Sequence, residues 1–343
     1  MSQSANAVLA RVRSMYGKRL TANDYSNLLS CTKPSDIVNY LKTRTAYGDI
    51  FSPTVGLQIT AEAVEFALNK EFAQRLQKIC SFEVMINDDF YDYFVLKSDI
   101  ELIIDAARTL VSSASLASGY VPNDFFRLRS TIDSQKLYNA KTASELIAAL
   151  SHTRYYSTAK KFIGADGMFH FSDVEMHLMR FYADTAKQLG KKLSKNSASE
   201  LAQIIDLEID GFNIESIYRL KKLGTKKEWI LARLIFEHGN ISKSKLSALL
   251  DAESEQVFIE LLSTTKLAKN ITMNDLVYPE SVFEKNSYLA HKRLLRFSSN
   301  PDIVFICYMN LLKMEIANIT HILEGKRYKM TSEQILPFLI GTE

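Results

Sequence analysis

Tyr308-Met309-Asn310-Leu311-Leu312-Lys313-Met314-Glu315-Ile316-Ala317-Asn318-Ile319-Thr320-His321-Ile322-Leu323-Glu324 is the stretch on which the fold turns. Met309, Leu312, Ile316, Ile319 and Leu323 recur at helical spacing and form one apolar stripe. The same pattern occurs at Gln203–Arg219, where Asp210-Gly211-Phe212-Asn213-Ile214 occupies its middle, and at Asp92–Arg108 around Asp99. Laid over one another without gaps, the three stretches align Leu96, Leu207 and Leu312, then the acids Asp99, Asp210 and Glu315. Ile103, Ile214 and Ile319 follow, and after them Ala106, Ile217 and Ile322. The acids lie 111 and 105 residues apart, so the recurrence is an internal repeat of the whole chain.

Working outward, other elements recur in the same order. Leu20-Thr21 through Leu29 matches Ile241-Ser242 through Leu250 in hydroxyl cap and apolar spacing. Ser35-Asp36-Ile37 leads to Thr45-Ala46-Tyr47, and Ser144-Glu145-Leu146 leads to Thr153-Arg154-Tyr155. Ser254-Glu255-Gln256-Val257 leads to Thr265, a third version that lacks the tyrosine. Each unit therefore reads as a capped short helix, a Ser-acid helix, a Thr turn and a long helix, over 1–118, 119–228 and 229–343. Within the first unit, helices are expected over Ala7–Leu20, after a Thr21 cap, after a Ser35 cap, and over Ala61–Cys80 behind Thr60. Asn87 and Asp88 start the first long helix. A turn at Ser118–Asn123 and a helix around Asp124–Arg129 open the second unit. No strand alternation is present, and 12 Gly and 6 Pro in 343 residues supply little punctuation for a sandwich or barrel. The expected fold class is all-α.

Composition narrows the function. The chain is 47% hydrophobic and 24% charged, with a net charge of +3 too small to mark a nucleic-acid or anionic-membrane binder. Cys31, Cys80 and Cys307 are odd in number and far apart, as expected of reduced intracellular thiols. No signal peptide is visible, and the apolar run Ile303–Leu312 is too short to span a bilayer. The sequence has no Walker A loop, no GxGxxG and no HExxH. Gly164-Ala165-Asp166-Gly167 reads as a tight turn rather than a phosphate cradle. His170 and His177 flank Asp173 and Glu175 without a recognised ligand spacing. No serine or cysteine sits in a nucleophile elbow. No catalytic, cofactor-binding or metal-binding residue is therefore assigned.

The repeated polar columns are the remaining candidates for partner or inter-domain contact: Asp99, Asp210 and Glu315; Asn213 and Asn318, opposite Leu102; Arg108 and Arg219, opposite Glu324. Helix–helix hydrogen bonding explains them equally well. Residues 241–262 resemble a helix-turn-helix, giving a nucleic-acid-binding regulator as the alternative function. The acids around Glu253–Glu260 in its second helix would repel phosphate.

Taken together, Ala10-Arg11-Val12-Arg13-Ser14-Met15, Ser144 to Tyr155, Asp210-Gly211-Phe212-Asn213-Ile214 and Lys313 to Ile319 resemble the C subunit of bacterial and archaeal V/A-type ATPases. The eukaryotic V-ATPase has its counterpart in the d subunit, and the resemblance covers essentially the whole chain. Leu102 and Gly211 depart from the family's acid-aliphatic-x-Asn-aliphatic pattern. The resemblance implies a funnel of three similar helical domains around a pseudo-threefold axis. It also implies a non-catalytic rotor socket without a cofactor or a membrane span, peripheral on the cytoplasmic face of the membrane. Its implied partners are central stalk subunits of the D and F type and the membrane proteolipid ring, with no nucleic acid.

Overall fold

The structure is a computed structural model that describes residues 3–51, 61–80, 88–112, 129–268 and 279–342. The described residues form helices, with one isolated bridge, Ile163 to Phe169, closing the tight turn at 164–167. The expected all-α class holds. The chain divides into two compact units. Unit 1 comprises Met1–Ile86, Gly119–Val121 and Tyr288–Glu343; unit 2 comprises Asn87–Ser118 and Pro122–Ser287.

In unit 1 the chain begins with α1 (Gln3–Gly17), α2 (Ala22–Ser30), α3 (Pro34–Arg44) and α4 (Ala61–Cys80). The C-terminal segment adds the end of α14 (Pro279–Phe297), α15 (Pro301–Arg327) and α16 (Ser332–Ile335). The long helix α15 is the centre of this unit, packed by α1, α3 and α4. Its stripe residues Met309, Leu312, Ile316, Ile319 and Leu323 are all buried. By length and composition α15 could cross a membrane, but 72% of its apolar window is buried inside the protein, as in a core helix.

Unit 2 starts with α5 (Asp88–Val111), followed by α6 (Ser134–Asn139), α7 (Ala143–Ala149) and α8 (Tyr156–Ala159). Then come α9 (Phe171–Gly190), α10 (Lys195–Lys222), α11 (Lys227–Leu231), α12 (Lys243–Asp251) and α13 (Glu255–Ser263). Helix α9 packs against both α5 and α10. Ile214 and Ile217 on α10 join Leu234, Leu246, Leu249, Phe258 and Leu262 in one core cluster. The second helix of the 241–262 pair thus turns its apolar face inward.

Helix ends follow local chemistry, with three shifts from expectation. The Thr21 cap is a full capping box with Asp24, and Ser242 and Ser254 cap α12 and α13 as expected. Helix α3 starts at Pro34, ahead of the expected Ser35 cap, because proline fits the first helical position and the Asp36 carboxylate accepts from Lys33 N. Helix α7 starts at Ala143, one residue ahead of the Ser144-Glu145-Leu146 start, and is capped by Thr142, whose Oγ1 accepts from Glu145 N. Helix α1 ends at Gly17, not Leu20, whose N–H is directed at Glu315 on α15. Thr60, the Ser118–Asn123 turn and residues 124–128 lie outside the described residues.

The glycine that departs from the repeat pattern has a steric reason. A Cβ on Gly211 of α10 would lie 2.2 Å from the Phe283 ring, so only glycine lets that ring rest on the helix.

Candidate functional site

The acid column is buried and fully engaged. Glu315, near the middle of α15, is 8% exposed. Its Oε2 accepts from Leu20 N at 2.8 Å, and its Oε1 accepts from the Tyr47 hydroxyl at 2.6 Å. Asp99 on α5 accepts from the Tyr155 hydroxyl at 2.8 Å, with Ser130 also hydrogen-bonded to it and Arg154 3.9 Å away. Asp210 on α10 accepts from Asn240 N at 2.9 Å and from Ile241 N at 3.0 Å. Each acid of a long helix therefore reaches elements of the third that follows it in sequence. For Glu315 the following third is the first one, at the other end of the chain.

This pairing explains the recurring Thr-x-Tyr. Thr45 Oγ1 donates to Leu41 O and accepts from Tyr47 N; Thr153 Oγ1 donates to Leu150 O and accepts from Tyr155 N. The threonine turns the chain so that the tyrosine points at the acid. In the third that lacks the tyrosine, Thr265 still bonds Leu262 O. Asp210 there gathers backbone N–H groups instead. Gly239, at φ +97, shapes that loop, and its N–H donates to Asp206 Oδ1 at 3.0 Å. Tyr47 and Tyr155 are visible as a motif, but nothing in a single sequence links them to the acid column.

The asparagine column is a second recurring joint. Asn213 Nδ2 donates to Ile235 O at 2.8 Å, and its Oδ1 accepts from Ile235 N at 2.8 Å. Asn318 does the same to Ile340, at 2.7 and 2.9 Å. Both asparagines clip a backbone 22 residues further on. Asn318 also donates to the Tyr25 hydroxyl at 3.2 Å. Leu102 offers no amide for such a clip.

The arginine column behaves differently. Arg108 pairs with Asp105 at 2.8 Å with its side chain 55% exposed. Arg219 grips Glu175 with a side chain 46% exposed. Of the seven polar candidates, five are buried inside a unit and these two face outward.

Electrostatics follow from burial. Desolvation pushes the Glu315 carboxyl above the usual range, outweighing the opposing bonds from Tyr47 and Leu20 and the charges of Arg75 and Arg19. Asp99 and Asp210 are likewise raised by burial, against the pull of their hydrogen-bond donors. Burial, and then the neighbouring carboxylate, raise Tyr47 and Tyr155 well above the ordinary phenol range, so both remain donors. His177 is lowered by burial, and His170 contacts Asp166 rather than a shared centre with His177. Asp173 is held by Arg233 at 2.8 Å. Among the described residues no group of three or more His, Cys, Asp or Glu could hold a metal ion. In the 241–262 pair, Glu255 accepts from Tyr218 OH and Lys245 Nζ from α12 donates to Thr264 O.

Fold and joints together define a helical repeat protein in which polar side chains at equivalent positions fasten long helices to short ones. The chain belongs to the ATP synthase (C/AC39) subunit family, whose model matches residues 8–338. It is 26% identical to the C subunit of the A-type ATP synthase of Methanosarcina mazei, over 97% of this chain and 91% of that protein. It is 23% identical to the protein of the same name from Methanococcoides burtonii, over 96% and 92%. The Methanosarcina barkeri protein of that name is 24% identical, over 97% and 91%.

Proposed function

We propose that this chain is a non-catalytic rotor subunit of a V/A-type rotary ATPase, joining the central stalk to the membrane proteolipid ring and passing torque between them. The observation that carries the reading is the family match along nearly the whole chain. The relatives' name, that of an A-type ATP synthase component, agrees with it. The repeated sequence supports three related domains, 1–118, 119–228 and 229–343, arranged as a funnel about a pseudo-threefold axis. Transmitting torque needs stiffness, and long helices fastened by buried hydrogen bonds supply it. The buried course of α15 supports a peripheral rather than a spanning placement, and the family reading puts that placement on the cytoplasmic face.

Within this reading the five buried polar candidates hold the socket together. The two exposed arginines, Arg108 and Arg219, are the members of the set positioned to meet stalk or ring subunits. The exposed acids Glu255 and Glu260 on the second helix of the 241–262 pair weigh against the nucleic-acid alternative, since they would repel phosphate. Co-purification of the tagged chain with D- and F-type stalk subunits and the proteolipid ring tests the proposal. A monomer that binds none of them in native membranes would overturn it.

A further inference from the structure

The first and last stretches of the chain meet at a joint that elsewhere in the protein is covalently continuous. After α10, Asn213 clips Ile235, and six residues later Asp210 accepts from Ile241 N; the chain then enters α12 through the Ser242 cap. After α15, Asn318 clips Ile340 in the same way. The path then passes to a distant part of the sequence. Glu315, in the place of Asp210, accepts from Leu20 N, and Leu20 precedes the Thr21 cap of α2 just as Ile241 precedes Ser242. Ile340 and Leu20 therefore stand where Ile235 and Ile241 stand, with no short loop between them.

Among the described residues, unit 1 is thus assembled from two separate stretches of chain, α1–α4 and the segment from Tyr288 onward. Beside the apolar packing of α1, α3 and α4 on α15, polar contacts hold the two stretches together. Glu315 binds Leu20 and Tyr47, and Asn318 binds Tyr25. Ser332 Oγ donates to Leu29 O at 2.8 Å, and Arg13 donates to Leu295 O and Ser298 O. Unit 2 is nearly one unbroken run, so its equivalent joint at Asp210 stays tethered whatever its hydrogen bonds do.

We infer that the Glu315–Asn318 joint is a releasable clasp, the place at which α1–α4 and the C-terminal segment part while unit 2 remains folded. A tethered joint re-forms at high effective concentration, and an untethered one opens further and for longer once its hydrogen bonds are lost. Local opening of this kind is read by amide hydrogen exchange.

The test compares the full-length double variant Glu315→Gln with Asn318→Ala against Asp210→Asn with Asn213→Ala. In the first, amides of residues 20–47 should exchange about tenfold faster or more, since glutamine leaves one acceptor oxygen for the Leu20 N–H and the Tyr47 hydroxyl together, and Ile340 N loses its acceptor as well. Amides of α9 and α10 should keep their wild-type rates. In the second, the acceleration should be confined to residues 235–241. A head-to-tail cyclised form of the first variant, with a flexible linker joining Glu343 to Met1, should regain protection at residues 20–47. If the first variant does not fold, wild-type exchange in low denaturant reads the same opening, with residues 20–47 released below the transition of α9 and α10. Wild-type-like protection at residues 20–47 in the variant would overturn the inference. So would simultaneous loss of protection in α9 and α10, or a cyclised variant that exchanges as fast as the linear one.

Discussion

Unit 1 and unit 2 use the same joint in different chain topologies. In both, a carboxylate in a long helix receives the entrance of a short capped helix, and an asparagine one helical turn further on clips an isoleucine backbone. In unit 2 the clipped and clasped residues are six apart in one loop; in unit 1 they belong to widely separated stretches of the chain. A short loop makes closure cheap in entropy, whereas distant stretches must be brought together each time. Equal hydrogen bonds therefore carry unequal mechanical weight. The comparison teaches that stability in a repeat protein depends on where the chain is cut as well as on what touches what.

Breaking the clasp should have the largest effect. Glu315→Ala leaves the Leu20 N–H and the Tyr47 hydroxyl buried without an acceptor and should cost unit 1 about 3 kcal/mol. Urea unfolding followed by exchange in each unit would register it, and Asp210→Ala should cost less. Gly211→Ala attacks unit 2 instead. Its new methyl would overlap the Phe283 ring and should cost about 2 kcal/mol, seen as a lower urea midpoint. Placing leucine, the natural residue at 102, at positions 213 and 318 removes one clip at a time. Each change should cost about 1.5 kcal/mol by orphaning a backbone N–H and C=O, and Asn318→Leu should also loosen Tyr25 in thermal melts.

A pH series sharpens the comparison further. Burial raises the folded-state pKa of Glu315, so the native protein holds that proton more tightly than the unfolded chain does. Stability from this group is present below the unfolded carboxyl pKa and is lost as pH rises through the folded one. The stability of wild type relative to Glu315→Gln should therefore increase as pH falls from 7 toward 5; a difference that stays flat would show that the carboxyl is not raised. The smallest effects belong to the exposed arginines. Arg108→Ala and Arg219→Ala should change stability by less than about 0.5 kcal/mol. Under the proposed function they should weaken association with stalk or ring subunits, measured by co-purification.

Much of this is legible in the sequence. Helical spacing locates the three long helices, and a hydroxyl placed just ahead of an apolar-periodic run locates the caps at Thr21, Ser242 and Ser254. The starts of α3 and α7 slip by one or two residues, because several neighbouring residues can cap and only the completed turn decides. The end of α1 differs for a tertiary reason, since Leu20 N bonds Glu315, 295 residues away. The acid, asparagine and arginine columns stand out as repeats, but their separate fates do not. Amphipathic spacing ranks residues as inward or outward on a helix and does not say which other helix an inward acid meets. Thr-x-Tyr and the acids are both present in one dimension; their pairing across successive thirds exists only in three.

The two asparagine clips also work as rulers. Each spans 22 residues from amide to clipped isoleucine, through stretches that share two isoleucine columns, Ile214 with Ile319 and Ile217 with Ile322, and then diverge. A clip that engages both the N–H and the C=O of one residue tolerates no slippage, because moving the chain by one residue turns the next peptide group away from the amide. Substitutions at exposed positions inside each span leave its length unchanged, whereas buried positions such as Ile217 and Ile322 remain bound to their cores, and a single insertion or deletion unseats the clip. Length is therefore constrained in these two segments as firmly as the identity of their buried residues.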